Sequence, residues 1–311
     1  MQRINIGPPE SPLSISPISL GCWPIAGVTT LGTDHQSSLA TVRQALDSGI
    51  NFFDTAYSYG YDGEADRVLH EALAGQEDVV VASKVGMHFG PERQRVTDGR
   101  PGTLKAHAQE ALSRLGRESI DILYLHLPDP GVPIADSAGA IAELVQQGVA
   151  RYAGISNVNA NELDAFTQVC PAIISQQPFN LLQQPEHTPA LEAAKERSIP
   201  SAAYWVLMKG LLAGKLPRDH VFDQNDRRLQ YEIFQGQAWQ SAQDVLDQLR
   251  IIARDVSCTV SQLVIAWTLA HPLVTTCICG AKRPEQIRES AGAMRLSLTD
   301  SLIERISALA S

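Results

Sequence analysis

The chain has 311 residues, 44% of them hydrophobic, enough for one eight-unit α/β barrel or two ordinary domains with a large core. A formal charge of −9, with lysines and arginines scattered rather than striped, argues against a nucleic-acid surface. Five cysteines without CxxC spacing fit reduced thiols better than a disulfide framework or a zinc site.

Residues 1–17 lack a basic start followed by an apolar run, and no stretch is long enough to span a bilayer, so the expectation is a cytoplasmic protein with no membrane partner. Residues 4–15 read as a short hairpin able to plug the bottom of a barrel. Residues 18–23 (ISLGCW) form the first candidate core strand, and residues 36–48 the first helix, stopped by Gly49. Residues 51–54 (NFFD) are an apolar run ending abruptly in Asp54, as expected of a buried parallel strand that delivers a carboxylate to its C-terminal end. Tyr59 follows five residues later, just before Gly60.

The cycle then repeats. Residues 64–73 read as helix, 78–84 as an apolar strand ending in Lys84, and 103–115 as an amphipathic helix with Gly116 at its end. Residues 121–126 (DILYLH) make a strand ending in His126, and 137–147 a helix stopped by Gly148. Strands at 150–156, 172–176 and 201–205 alternate with helices at 160–168 and 188–197. Residues 274–279 are the eighth strand, with a helix at 284–293 behind it. Eight such units predict a (β/α)8 TIM barrel forming one domain over residues 1–311. Beyond the plain repeat stand the N-terminal hairpin, a long loop after strand seven at 209–239, and extra helices within 241–270.

Strand ends two, three and four supply Asp54 with Tyr59, then Lys84, then His126, and neighbouring barrel strands aim their ends at one point above the axis. A free tyrosine with a pKa near ~10 is a poor acid or base at neutral pH, but an adjacent ammonium favours the phenolate. Lys84 is placed to supply that charge, with Asp54 holding the ammonium. His126 offers an N–H that can orient a carbonyl oxygen.

The strings GINFFDTAYSYG, VVVASK, DILYLHLPD, GISN and ICGAKRPEQIRES resemble the aldo-keto reductase superfamily, in order and over roughly nine tenths of the chain. The resemblance implies a catalytic tetrad of Asp54, Tyr59, Lys84 and His126, acting in NADPH-dependent reduction of an aldehyde or ketone, with NADH possible but weaker. It further implies that Ser156, Asn157 and Gln176 hold the nicotinamide carboxamide, with Asp54 nearby. Tyr204 would stack on the ring, and Gly21, Cys22 and Trp23 would line the same region. The segment around Lys209 and Gly210 would approach the pyrophosphate, and Trp205 and Leu207 are further cofactor-binding candidates, with Trp205 and Trp23 open to a substrate contact or a plain core role. Gly280, Ala281, Lys282, Gln286, Glu289 and Ser290 would receive the adenosine end; in a chain of net charge −9 a 2′-phosphate needs a local cation, and Lys282, or its neighbour Arg283, is the expected one. No metal and no obligate protein partner is implied. The chain lacks a GxGxxG after a strand, which this family does not use.

The chain departs from the family pattern in three places. Trp205-Val206 replaces the usual Ser-Pro after the stacking tyrosine, Glu289-Ser290 replaces a Glu-Asn pair, and Ala65-Asp66 replaces Ser-Glu with one extra residue in the preceding loop. Tyr57 and Tyr61 compete with Tyr59 as the acid, but only Tyr59 has the family spacing. Two other readings stay open: a nicotinamide-binding, redox-sensing regulatory subunit with little turnover, and a hydrolytic barrel. The last would want a second acidic strand end or a metal cluster.

Overall fold

Eight short parallel strands close on themselves in chain order. They are β1 (Ile18–Gly21), β2 (Phe52–Asp54), β3 (Val80–Val85), β4 (Ile120–Leu125), β5 (Ala150–Ser156), β6 (Ala172–Pro178), β7 (Ser201–Tyr204) and β8 (Thr276–Gly280), and β8 pairs back onto β1. The computed structural model describes residues 3–28, 30, 32–224 and 226–310. Of the segments discussed above, Met1 and Gln2 of the N-terminal stretch, Asn225 of the long loop and Ser311 at the end lie outside the described residues, as do Thr29 and Leu31.

Between the strands lie helices α1 (His35–Asp47), α2 (Glu64–Ala72), α3 (Pro101–Leu115), α4 (Ile134–Gln146), α5 (Ala160–Thr167) and α6 (Gln184–Glu196). Helices α7 (Gly236–Asp255) and α8 (Val260–Ala270) follow β7, and α9 (Pro284–Gly292) follows β8. The expected barrel is therefore present, with helix starts displaced where proline intervenes. Helix α3 begins at Pro101 rather than residue 103, because proline's fixed φ suits a first helical position that needs no N–H. Helix α7 begins at Gly236, so the long loop is shorter than the sequence pattern suggested and carries short 3-10 turns. Two elements were not anticipated. One is a hairpin of Met87–Phe89 and Arg95–Thr97 between β3 and α3, and the other is α10 (Asp300–Ser307). The second docks on α8 through Trp267 Nε1, which donates to Ser307 Oγ at 2.9 Å.

Strand side chains alternate, and the alternation sorts this barrel. Phe52, Val80, Ala82, Ile122, Tyr124, Ile174, Ala202 and Ile278 point inward as one buried cluster, while their neighbours pack under the helices. Tyr124 fills space near the axis only because Gly154 lies opposite: a Cβ at residue 154 would stand 2.6 Å from the Tyr124 ring. The N-terminal hairpin pairs Ile4–Ile6 with Leu13–Ile15 and buries Ile6, Leu13 and Ile15 in the same inner cluster, closing the barrel from below as expected. Each such aliphatic side chain contributes roughly 1.5–3 kcal/mol of burial.

Candidate active site

Carrying the inward alternation one step past the apolar layer decides which residues face the mouth. On β2, Phe52 is followed two residues on by Asp54. On β3, Val80 and Ala82 are followed by Lys84; on β4, Ile122 and Tyr124 by His126; on β6, Ile174 by Gln176; on β7, Ala202 by Tyr204. A polar layer therefore caps an apolar one at the C-terminal ends of the strands. The sequence pattern and the barrel register agree here because the period is two and the strands end together.

Within this layer Lys84 Nζ donates to Asp54 Oδ2 at 2.6 Å, to the Thr55 carbonyl at 2.9 Å and to the Tyr59 hydroxyl oxygen at 3.1 Å. All three ammonium protons are thus used in a site where Lys84 is 1% and Asp54 2% exposed. The other Asp54 oxygen accepts from Gln176 Nε2 at 2.7 Å. A buried ion pair of this kind is favourable only when its remaining hydrogen-bonding capacity is met, as it is here. The Tyr59 ring lies 5.2 Å from Trp23 and 6.1 Å from His126, edge-on to each. Of the competing phenols, Tyr57 donates to Glu110 at 2.8 Å and Tyr61 packs on Phe89, so neither touches Lys84.

Charge placement follows from burial. Burial pushes the Tyr59 phenol above its ordinary range, and Lys84 opposes that shift without cancelling it. The expected lowering by the Lys84 ammonium is present, and desolvation of the phenolate outweighs it. Burial weakens the Lys84 ammonium, but Asp54 and Tyr59 more than restore it, and it stays charged. Burial, then Lys84, then Arg95 hold the His126 imidazole well below its usual value, so the ring is neutral. Its Nδ1 has no hydrogen-bond partner among the described residues.

The Aldo/keto reductase family profile matches residues 17–311. This chain belongs to that family. Among relatives of this aldo-keto reductase, the aldo-keto reductase YhdN of Bacillus subtilis is 31% identical, covering 89% of this chain and 85% of its own length. The NADH-specific methylglyoxal reductase of Escherichia coli is 28% identical, covering 96% and 95%. The solved glycerol dehydrogenase of Gluconobacter oxydans superposes with a TM-score of 0.91 at 30% identity, over 98% of this chain and 94% of that one. The family uses nicotinamide cofactors.

The residues that the aldo-keto reductase resemblance gives to the cofactor fall into two sets. Near the tetrad, Asn157 Nδ2 donates to the His126 carbonyl at 2.8 Å and to Ser156 Oγ at 3.0 Å, while its Oδ1 accepts from the Tyr204 hydroxyl at 2.6 Å. Asn157 holds this position with φ of 58°, a conformation asparagine tolerates better than most residues. A mixed set of amide and hydroxyl groups, fixed by one another, suits a carboxamide, which both donates and accepts. Gly21 and Gly280 face each other across the β1–β8 pair, and a Cβ at residue 21 would come within 2.9 Å of Ile278. Cys22 is fully buried, its N–H bonded to the Asp54 carbonyl at 2.9 Å.

At the start of α9, Gln286 Oε1 accepts from the Lys282 backbone at 2.9 Å, and Glu289 pairs with Lys215 at 2.5 Å. Ala281 and Ser290 are buried. After β7 the backbone is strained: Trp205 and Lys209 have φ of 61° and 53°. Leu207 accepts from Gly210 N at 2.9 Å there. The Lys209 ammonium sits over Trp205 at 4.7 Å and Tyr231 at 4.5 Å, a double ring contact that the position of Lys209 in the sequence did not foretell.

Sequence reasoning passed over two charged groups near the tetrad. Asp66 was noted only as a departure from the family pattern. It is fully buried, accepts from Thr55 Oγ1 at 2.7 Å with one oxygen and has no hydrogen-bond partner for the other among the described residues; burial pushes its carboxyl up to about 7. The second is Arg95, on the unanticipated hairpin.

Proposed function

We propose that this protein reduces an aldehyde or ketone to the alcohol, with Tyr59 as the acid that protonates the carbonyl oxygen, and that NADPH is preferred to NADH. The observation that carries the reading is one buried ammonium within hydrogen-bond distance of both Asp54 and the Tyr59 hydroxyl. A bound reduced nicotinamide supplies the hydride. Tyr59 gives its proton to the oxygen, and Lys84 stabilises the phenolate left behind, which desolvation alone would disfavour. Asp54 keeps the ammonium charged and in place. The neutral His126 ring orients the carbonyl through an N–H rather than taking its proton. Ser156, Asn157, Gln176 and Tyr204 would hold the cofactor's carboxamide end beside these groups.

The preference for NADPH rests on the Lys282 and Arg283 cations beside the start of α9 at the other end. Lys282 is pushed below its ordinary value by partial burial and by Arg283 and Arg228, with Asp226 opposing. A 2′-phosphate would meet these cations, and the N-terminus of α9 at Pro284 adds a positive dipole end. The Escherichia coli relative is named NADH-specific, so membership of the family does not by itself set this preference.

A panel of aldehydes and ketones, followed by loss of NADPH absorbance and repeated with NADH, tests the reading. Turnover with several carbonyls and a lower KM for NADPH is expected. Cofactor binding without turnover of any carbonyl would favour the regulatory-subunit reading instead.

A further inference from the structure

The hairpin between β3 and α3 turns at residues 90–94, where Gly90 and Gln94 pair and Arg93 takes a φ of 59°. It folds over the loops that follow β1 and β2 through two arginines that stack on aromatic rings. Arg93 lies 4.4 Å above Tyr61, which in turn packs on Phe89, and this contact stays at the rim. Arg95 lies 4.8 Å above Trp23, whose ring edge meets Tyr59 at 5.2 Å. The second contact therefore brings a guanidinium to within one aromatic ring of the proposed proton donor. From the same position its charge helps hold His126 neutral.

Many arginines of this acidic chain hold carboxylates, among them Arg100 with Asp98, Arg114 with Glu110, Arg197 with Asp164 and Arg218 with Asp244, while others, such as Arg93, do not among the described residues. Among the described residues the Arg95 guanidinium makes no ion pair and no hydrogen bond, and the side chain is exposed. A guanidinium held over an indole without a hydrogen-bond partner keeps N–H groups available, and their fork matches the geometry of a carboxylate or phosphate. We propose that Arg95 is the anion-recognising residue of the carbonyl pocket, and that preferred substrates are small aldehydes or ketones carrying a carboxylate or phosphate; this rests on the reductase reading above. Arg95 then binds the far end of the substrate while Tyr59 and His126 engage its carbonyl oxygen.

A purely structural arginine that pins the hairpin to Trp23 would make a different prediction, because its loss would slow every carbonyl alike. The test compares kcat/KM at saturating NADPH for matched pairs: succinic semialdehyde against its methyl ester, and glyceraldehyde 3-phosphate against glyceraldehyde. In wild type the charged member of at least one pair should be preferred roughly ten- to a hundredfold, mostly through KM, as for a charge-assisted contact. The pair that shows the preference identifies carboxylate or phosphate. Added salt should shrink the preference. Arg95→Met should bring the ratio close to one, Arg95→Lys should keep part of it, and Arg93→Met, on the same hairpin, should leave the ratio as in wild type. Equal wild-type use of charged and neutral partners would overturn the proposal, as would an Arg95→Met variant that loses both to the same degree. The wild-type comparison decides even if a variant folds poorly. Absence of turnover with charged and neutral compounds alike would instead overturn the reductase reading beneath it.

Discussion

Replacing Lys84 with methionine keeps the length of the side chain and removes the charge that Asp54 and Tyr59 share. Lys84 Nζ is 3.1 Å from the Tyr59 hydroxyl oxygen. At an effective dielectric near 20, an ammonium and a phenolate at that separation attract by about 5 kcal/mol, which corresponds to about four pH units in the phenol's ionisation. Water entering the gap and relaxation of Asp54 reduce that figure, so a rise of roughly two units is expected. The sign is set by burial, which already holds Tyr59 above its ordinary value and is opposed chiefly by Lys84. The assay is the pH dependence of alcohol oxidation, which needs the phenolate as base: its midpoint should move up in Lys84→Met. Asp54→Asn, acting only through Lys84, should move it less. Lys84→Met should also lose roughly 3–5 kcal/mol of stability, because Asp54 is left buried with Gln176 as its remaining side-chain partner. A pH profile and unfolding midpoint both equal to wild type would refute the assignment and make Lys84 an ordinary strand-end residue.

Lys282→Ala should weaken NADPH roughly ten- to a hundredfold and leave NADH nearly unchanged, measured by fluorescence titration; equal wild-type affinity for the two cofactors would refute the preference. Asp66→Asn should stabilise the protein at pH 8 and barely at pH 4. The folded carboxyl titrates at about 7 against an ordinary 3.8, so the stability it contributes is fully present below the unfolded value and is lost as pH rises through the folded one. The deficit at high pH approaches roughly 4 kcal/mol, and urea unfolding at the two pH values checks it: equal shifts at both would show that burial does not hold the proton.

The barrel and its polar top layer were legible because both follow from a period of two. Asp54, Lys84 and His126 each end an apolar run, and residues that share parity on neighbouring strands must share a face. The hairpin at 87–97 was not legible, since each of its strands is three residues long, too short to show alternation, and its glycine and proline read as plain loop. The site residues it carries, Arg95 above all, were missed with it. Helix α10 escaped notice because its apolar face is only Leu302, Ile303 and Ile306 at the end of the chain. The net direction of the Tyr59 shift was not legible for another reason: sequence displays the neighbouring lysine, which does lower the phenol, but not how completely water is excluded. The ring contacts of Lys209 depend on Tyr231, more than twenty residues away on a loop without regular pattern.

The central claim is that Tyr59 supplies the proton. Tyr59→Phe keeps the ring that packs beside Trp23 and His126 and removes only the hydroxyl that meets Lys84. Measured with the best carbonyl of the panel, kcat for reduction should fall by roughly 10²–10⁴-fold, the range for losing a positioned general acid, while NADPH titrates as in wild type. Reduction at close to the wild-type rate in Tyr59→Phe, with cofactor bound normally, would contradict the account.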